Sequence, residues 1–266
     1  MNKLGRKFMQ IIICLRSYSL AFMYFIPILV YILCSWSISL LACLNRLLLI
    51  AYSGLTAFLA FNACRRYSLR GSFGISFTLL FLGLAFLSMR EILGIPLCFS
   101  LYADNSGNIQ MYANITNIIK FDGTVLLVAA LLIYLRIIGK AIDKTVLTFS
   151  TTLTAVTAYL LYAIFSSASH HFIGAGSLIL GYALLDILLI ALSTLILGAF
   201  LAGKLALPWL FISIGFIGMA FFDVTFFSFI SISMLRISLE VSPINLLSQY
   251  SYVAIGWGLW LHRREL

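Results

Sequence analysis

Two carboxylates stand where a carboxylate is costly. Asp186 lies inside the apolar run 176–203 and Asp223 inside the run 207–230. Placing such a group at the centre of a membrane helix costs roughly 2.5–3.5 kcal/mol on insertion scales, which makes it a site hypothesis by default. Buried acids of this kind bind an ion or a ligand. Where two of them meet, they can share a proton and activate water. Tyr182 precedes Asp186 by one helical turn, which sets its phenol to steady the carboxylate. Arg90 and Glu91 end an earlier apolar run, and Arg90 is the natural counter-ion for Asp223 or Glu91. Near the end of the chain, Asn245, Ser248, Gln249 and Tyr252 recur at i, i+3, i+4 and i+7, a single polar stripe on a helix. Amides and hydroxyls facing lipid would go unsatisfied, so the stripe must face the bundle or a cavity.

The elements that position these residues follow from composition. Of 266 residues, 63% are hydrophobic and 9% charged, against about 25% charged in soluble domains. Long apolar runs without period-two alternation point to an all-α, polytopic transmembrane helix bundle. Eight spans are expected, at 18–43, 46–64, 73–93, 123–139, 146–168, 176–203, 207–230 and 244–261. Together they make one transmembrane domain over 18–266, preceded by a basic amphipathic segment at 1–17. With the first residues on the cytoplasmic side, Lys3, Arg6, Lys7, Arg16, Arg65, Arg66, Arg70, Arg136, Lys140, Lys144, Lys204, Arg263 and Arg264 all fall inside. That is 13 of the 17 Lys and Arg residues, the distribution that orients membrane proteins. It accounts for the net charge of +9 without nucleic acid. The expected location is the cell membrane, with both termini cytoplasmic and the bilayer as a partner. Arg46, Arg90, Lys120 and Arg236 are left for the outer side.

Depth follows from a rise of 1.5 Å per residue. Asp186 falls about 15 Å in from the outer face, and Asp223 about 24 Å from the inner one. Polar residues of the third, sixth, seventh and eighth spans then converge in the outer half. His170 and His171 read as solvated turn residues nearby. The outer connection 94–122 is Asn-rich and carries the glycosylation triplet Asn114-Ile115-Thr116. In the fifth span Thr148, Thr151, Thr152, Ala155 and Tyr159 share a face, which small and hydroxyl residues suit to bundle packing. Cys14, Cys34, Cys43, Cys64 and Cys98 contain no CxxC pair and read as small apolar residues, with a Cys43–Cys98 disulfide left open. No metal site and no cofactor are expected.

The two halves align. Tyr52 and Tyr182 are 130 positions apart, Glu91 and Asp223 are 132 apart, and Arg136 and Arg263 are 127 apart. Four spans per half give both halves one orientation, so the pattern reads as a parallel 4+4 repeat of 18–145 and 146–266. In this register Asp186 falls opposite Thr56, and the site is asymmetric.

The segments GYALLDILLIALSTLIL (181–197) and GFIGMAFFDVTFF (215–227) resemble polytopic membrane input modules of bacterial diguanylate cyclases and histidine kinases. The resemblance covers the last third of the chain. It implies a helix bearing Tyr-x-x-x-Asp, here Tyr182 and Asp186, followed by a helix with an Asp near its outer end, here Asp223. No output domain is expected after Leu266, so signalling would pass to another membrane or cytoplasmic protein. The leading expectation is therefore a ligand- or ion-binding sensor or transport-type module with an outward-facing polar pocket, more a binder than an enzyme. Two readings stand beside it. One is a structural or accessory subunit of a membrane complex. The other is an intramembrane aspartyl protease using Asp186 and Asp223. Against the latter, Ala220 and Phe222 replace the glycines of the Gly-x-Gly-Asp motif in presenilin-like and prepilin-peptidase families.

Overall fold

The computed structural model describes residues 23, 25–34, 36–67, 71–95, 106–139, 142–168, 176–200, 204–232 and 242–265. Eight helices lie among them: α1 (Phe25–Cys34), α2 (Ile38–Cys64), α3 (Ser72–Leu93), α4 (Ser106–Ile138), α5 (Lys144–Ala168), α6 (Gly176–Phe200), α7 (Ala206–Ile232) and α8 (Ile244–Glu265). The protein is an all-α helical bundle. Five stretches are long and apolar enough to cross a membrane: Ser39–Cys64, Ser72–Leu93, Ile115–Ile138, Gly181–Phe200 and Ala206–Asp223. The surface carries Phe25, Leu29, Ile32, Leu47, Phe58, Leu132 and Ile214, as expected where lipid, not water, is the solvent. Helix α8, with 22 residues, matches that length but not that apolarity, because it carries polar residues, and these face inward. Asn245, Ser248, Gln249, Ser251 and Tyr252 are all buried.

Local chemistry sets the helix ends. Ser37, in extended conformation, accepts from the Leu40 N–H and caps α2. The Asp143 carboxylate accepts from the Val146 N–H at 2.8 Å and caps α5. Two expected boundaries are corrected. The break expected near 43–46 lies at 36–37, so Asn45 and Arg46 belong to α2. The long outer connection 94–122 is shortened, since 106–122 is the start of α4. The reason is an inside-out pattern: Thr116, Lys120 and Thr124 are buried while Ile115, Ile118 and Val125 face outward. Asn114 lies on this helix, not in a loop.

The core runs through all the long helices except α5. Helix α3 packs on α4 and α7 on α8. Likewise α2 packs on α3 and α6 on α7, while α2 meets α8 and α6 meets α4. Each of these pairings has its counterpart four helices on, whereas the contacts of α5 with α6 and α7 have none among the contacts of the described residues. Side chains follow the same register. Phe77 lies 4.8 Å from Tyr67 and 5.0 Å from His262 between ring centroids. Trp209, 132 positions after Phe77, lies 6.4 Å from Phe200 and 4.7 Å from Tyr134. This aromatic knot gathers the ends of α2, α4, α6 and α8 where Arg65, Arg66, Arg136 and Arg263 emerge, hereafter the basic end. Tyr67 lies in the connection after α2, where burial raises its phenol above the usual 10.0. The protonated phenol is therefore available to donate to His262 Nε2, 3.2 Å away.

Two close approaches depend on glycine. A Cβ on Gly83 would stand 2.8 Å from the Gly123 carbonyl oxygen, so α3 and α4 touch backbone to backbone. At Gly215, 132 positions later, a Cβ would stand 2.7 Å from the Ser251 carbonyl oxygen on α8. Gly83→Val is expected to force α3 from α4 and to destabilise the bundle by about 1–3 kcal/mol. Equilibrium unfolding in detergent checks this, and Gly139→Val, where nothing lies within 4 Å, is the control.

The face of α5 expected to pack does not. Thr148, Thr151, Thr152, Ala155 and Tyr159 are exposed, Tyr159 by 70%. Their hydroxyls need no partner helix because each bonds within α5: Thr148 donates to Lys144 O at 2.9 Å and Thr152 to Thr148 O at 2.8 Å. Ser150 faces inward instead, 2.8 Å from the Thr194 hydroxyl. Cys34, Cys43 and Cys64 are free thiols. His170 and His171 lie outside the described residues, as does the segment 1–17.

Candidate functional site

At the far end of the bundle from the aromatic knot, five helices bring six ionisable side chains together. Helix α3 contributes Glu91, whose carboxylate sits in the last turn, next to Arg90. Arg46 reaches it from α2, with Nη1 2.6 Å from Oε2, while Arg90 Nη1 lies 2.5 Å from Oε1. Helix α4 contributes Lys120, whose ammonium donates to Asp223 Oδ1 on α7. The glycine contact between α3 and α4 places these two ion pairs side by side, since Gly123 is three residues from Lys120 and Gly83 is two turns from Glu91. Helix α6 contributes Asp186.

Asp186 differs from the other two acids. It is 3% exposed, and its Oδ2 has no hydrogen-bond partner. Asp223 and Lys120 both act on it electrostatically. Glu91 is held by two guanidinium groups and Asp223 by an ammonium. Thr56, 130 positions before Asp186, by contrast has its hydroxyl 2.8 Å from the Tyr252 carbonyl oxygen and donates to it. An orphaned buried carboxylate oxygen carries a free-energy penalty of a few kcal/mol.

The other residues expected at the site fall as follows. Tyr182 is buried beside Asp186 and Asp223, and the Lys120 ammonium lies 5.2 Å from the centre of its ring. Its hydroxyl does not steady Asp186. It donates to the Asn117 carbonyl oxygen on α4 instead, because that acceptor sits across the α4–α6 contact. Arg90 pairs with Glu91 and not with Asp223, although both lie in its field. Tyr252 is buried within the fields of Glu91, Arg90 and Asp223. Asn245 is buried one turn before Gln249. Gln249 donates through Nε2 to the carbonyl and side-chain oxygens of Asn45, both at 3.4 Å, and its Oε1 has no partner. The side chain of Asn114 is not among those described.

Sequence reasoning did not assign Lys120, Arg46 or Asn45 to the site. The signal that would have found them is the pattern around them: LLACLNRLLLIAY and NITNIIKFDGTVLLV carry apolar residues on both sides of the polar ones and contain no proline. Three cations and three acids make the cluster neutral when all are ionised. Among the described residues no three His, Cys, Asp or Glu side chains are grouped as metal ligands. The arrangement offers one uncommitted carboxylate oxygen beside an ammonium that already serves a second carboxylate. Such a centre can accept a proton or a cation and can redistribute its ion pairs in response.

Fold and site together define a multi-pass α-helical membrane protein with an intramembrane charge cluster. Comparison with protein-family models, with curated protein sequences and with solved structures gives no match for this chain.

Proposed function

We propose that this protein resides in the cell membrane with its basic end on the cytoplasmic side, and that its buried charge cluster binds a small cation or an ammonium-bearing ligand in a sensor or transport role. The orientation rests on the basic ends of the helices, which gather on one side. The site rests on one observation: Asp186 is buried, carries an oxygen without a donor, and stands beside the Lys120–Asp223 pair. A cation entering from the outer side would bind that oxygen and compete with Lys120. A change in the Lys120 pairing would then pass along α4 toward the basic end, where another membrane or cytoplasmic signalling protein would read it. That route is the one the likeness to bacterial input modules suggests.

A thermal-shift series on the purified protein tests the reading with sodium, potassium and small organic ammonium ions. A cation present at a hundred times its Kd is expected to stabilise the wild type by about 2.7 kcal/mol. Asp186→Asn should lose that response while its unliganded stability stays the same or rises, since the substitution removes an unsatisfied buried group. An equal response in Asp186→Asn, or no cation response in the wild type, discards the site.

A second reading has its own support. The exposed Thr148, Thr151, Thr152 and Ala155 face of α5 offers the close approach that membrane helices use to associate, which favours a structural or accessory subunit of a complex. The aspartyl protease reading has less. The ammonium on Asp223 opposes the proton sharing that such a dyad needs.

A further inference from the structure

Two hollows lie between α2 and α8 on the side of the basic end. The upper one is an apolar cleft of about 180 Å³, lined among others by Tyr52, Leu55, Leu59, Val253, Gly256 and Trp260. Gly256 makes the room, since a Cβ there would stand 3.1 Å from the Thr56 hydroxyl and 3.4 Å from Leu59. One turn further along both helices the lining changes. Asn62, Arg65, Arg66 and Arg263 surround a second hollow of about 450 Å³. The two hollows are continuous in register, because Leu59 is three residues from Asn62 and Trp260 three from Arg263.

The arginines are arranged, not scattered. Arg66 donates to the Arg263 carbonyl oxygen and ties the end of α2 to the last turn of α8. Arg264 lies 4.7 Å over the Trp260 ring, at the mouth of the cleft. None of the ion pairs among the described residues involves Arg65, Arg66, Arg263 or Arg264. Several guanidinium groups around one hollow repel one another unless an anion sits between them. From Tyr52 to Asn62 the apolar part rises about 15 Å, half of a hydrocarbon core of about 30 Å.

We propose that the two hollows together hold one anionic phospholipid of the cytoplasmic leaflet. Its acyl chain lies in the cleft between Leu59 and Trp260, and its phosphate is bound by Arg65, Arg66 and Arg263. The charge of the lower hollow and the apolarity of the upper one each match one part of such a molecule. Neither part alone matches a free anion or a neutral lipid.

The test is native mass spectrometry of the full chain purified in mild detergent, with phosphatidylglycerol and phosphatidylcholine of identical chains offered together. Wild type should retain phosphatidylglycerol over phosphatidylcholine by roughly tenfold, the ratio of about 1.4 kcal/mol. Arg65→Gln/Arg263→Gln should abolish that preference, with Arg66 kept because it ties α8. Leu59→Trp, which fills the cleft, should lower retention of both lipids. Arg136→Gln/Lys144→Gln, basic and exposed elsewhere, should change nothing. Equal retention of the two lipids by wild type overturns the proposal, as does an equal loss in the Arg136/Lys144 control. Should the arginine variants fail to fold, wild-type thermal stability decides: phosphatidylglycerol must raise it more than phosphatidylcholine or inorganic phosphate does. A rise with inorganic phosphate equal to that with phosphatidylglycerol would mean an anion site without a lipid.

Discussion

Lys120→Met is expected to cost the bundle about 3–5 kcal/mol, the loss that follows when one partner of a buried ion pair is removed. Both members are buried, each with 6% of its side chain exposed. The substitution leaves Asp223 ionised without its cation, with Asp186 close by as a second acid. Its cost is therefore the desolvation of a stranded carboxylate, not the strength of the pair. For that reason Lys120→Met/Asp223→Leu should recover most of the loss, since replacing a whole buried pair by apolar groups of similar size is often neutral or stabilising. Reversible unfolding of the purified protein in mixed micelles measures all three variants. If the double variant is as unstable as the single one, Lys120 contributes through packing against Tyr182 and not through its charge. A loss below about 1 kcal/mol for Lys120→Met would place the pair in water, where exposed salt bridges contribute that little.

Lys120 also shows where sequence reading stops. Asp186, Asp223 and Glu91 were legible because an acid within or at the edge of an apolar run stands out whatever its neighbours. The α8 stripe was legible because its four polar residues repeat at helical spacing, and burial of all four follows from the cost of leaving them in lipid. Lys120, Asn45 and Arg46 carry the same chemistry but lie where a basic or amide residue also reads as a loop. Deciding between loop and helix there requires noticing that the apolar residues between them, Ile118 and Leu47 among others, face outward. A membrane helix presents its apolar side to lipid and its polar side to its neighbours, the reverse of the soluble pattern. The α5 face misled for a related reason. Threonine hydroxyls can be satisfied by the carbonyl one turn back, so a polar face on a membrane helix does not by itself require a neighbour. The pairing of Tyr182 with Asn117 was not legible at all, because a backbone acceptor leaves no mark in the sequence. The repeat offsets, by contrast, could be read from the chain, and the contacts of Phe77 and Trp209 follow them.

Glu91→Gln is expected to destabilise the protein at least as much as Lys120→Met, by about 3–5 kcal/mol or more, and with the opposite sign of stranded charge. Two guanidinium groups, from Arg46 on α2 and Arg90 on α3, converge on one carboxylate that is 1% exposed. Without that charge they face each other across a low-dielectric gap, so repulsion adds to desolvation. Glu91→Asp should lie between wild type and Glu91→Gln, because the shorter side chain keeps the charge but cannot reach both donors. Glu91→Gln/Arg90→Gln should recover part of the loss by removing one of the two like charges. Added salt should leave these differences unchanged, since buried pairs are screened far less than exposed ones. A loss from Glu91→Gln that vanishes at high salt would mean that water fills this end of the bundle. The outcome also bears on Asp186. If the Glu91 and Lys120 variants lose stability while Asp186→Asn does not, two of the three buried acids hold the bundle together. The third is then retained against the preference of the fold, as a residue kept for binding would be.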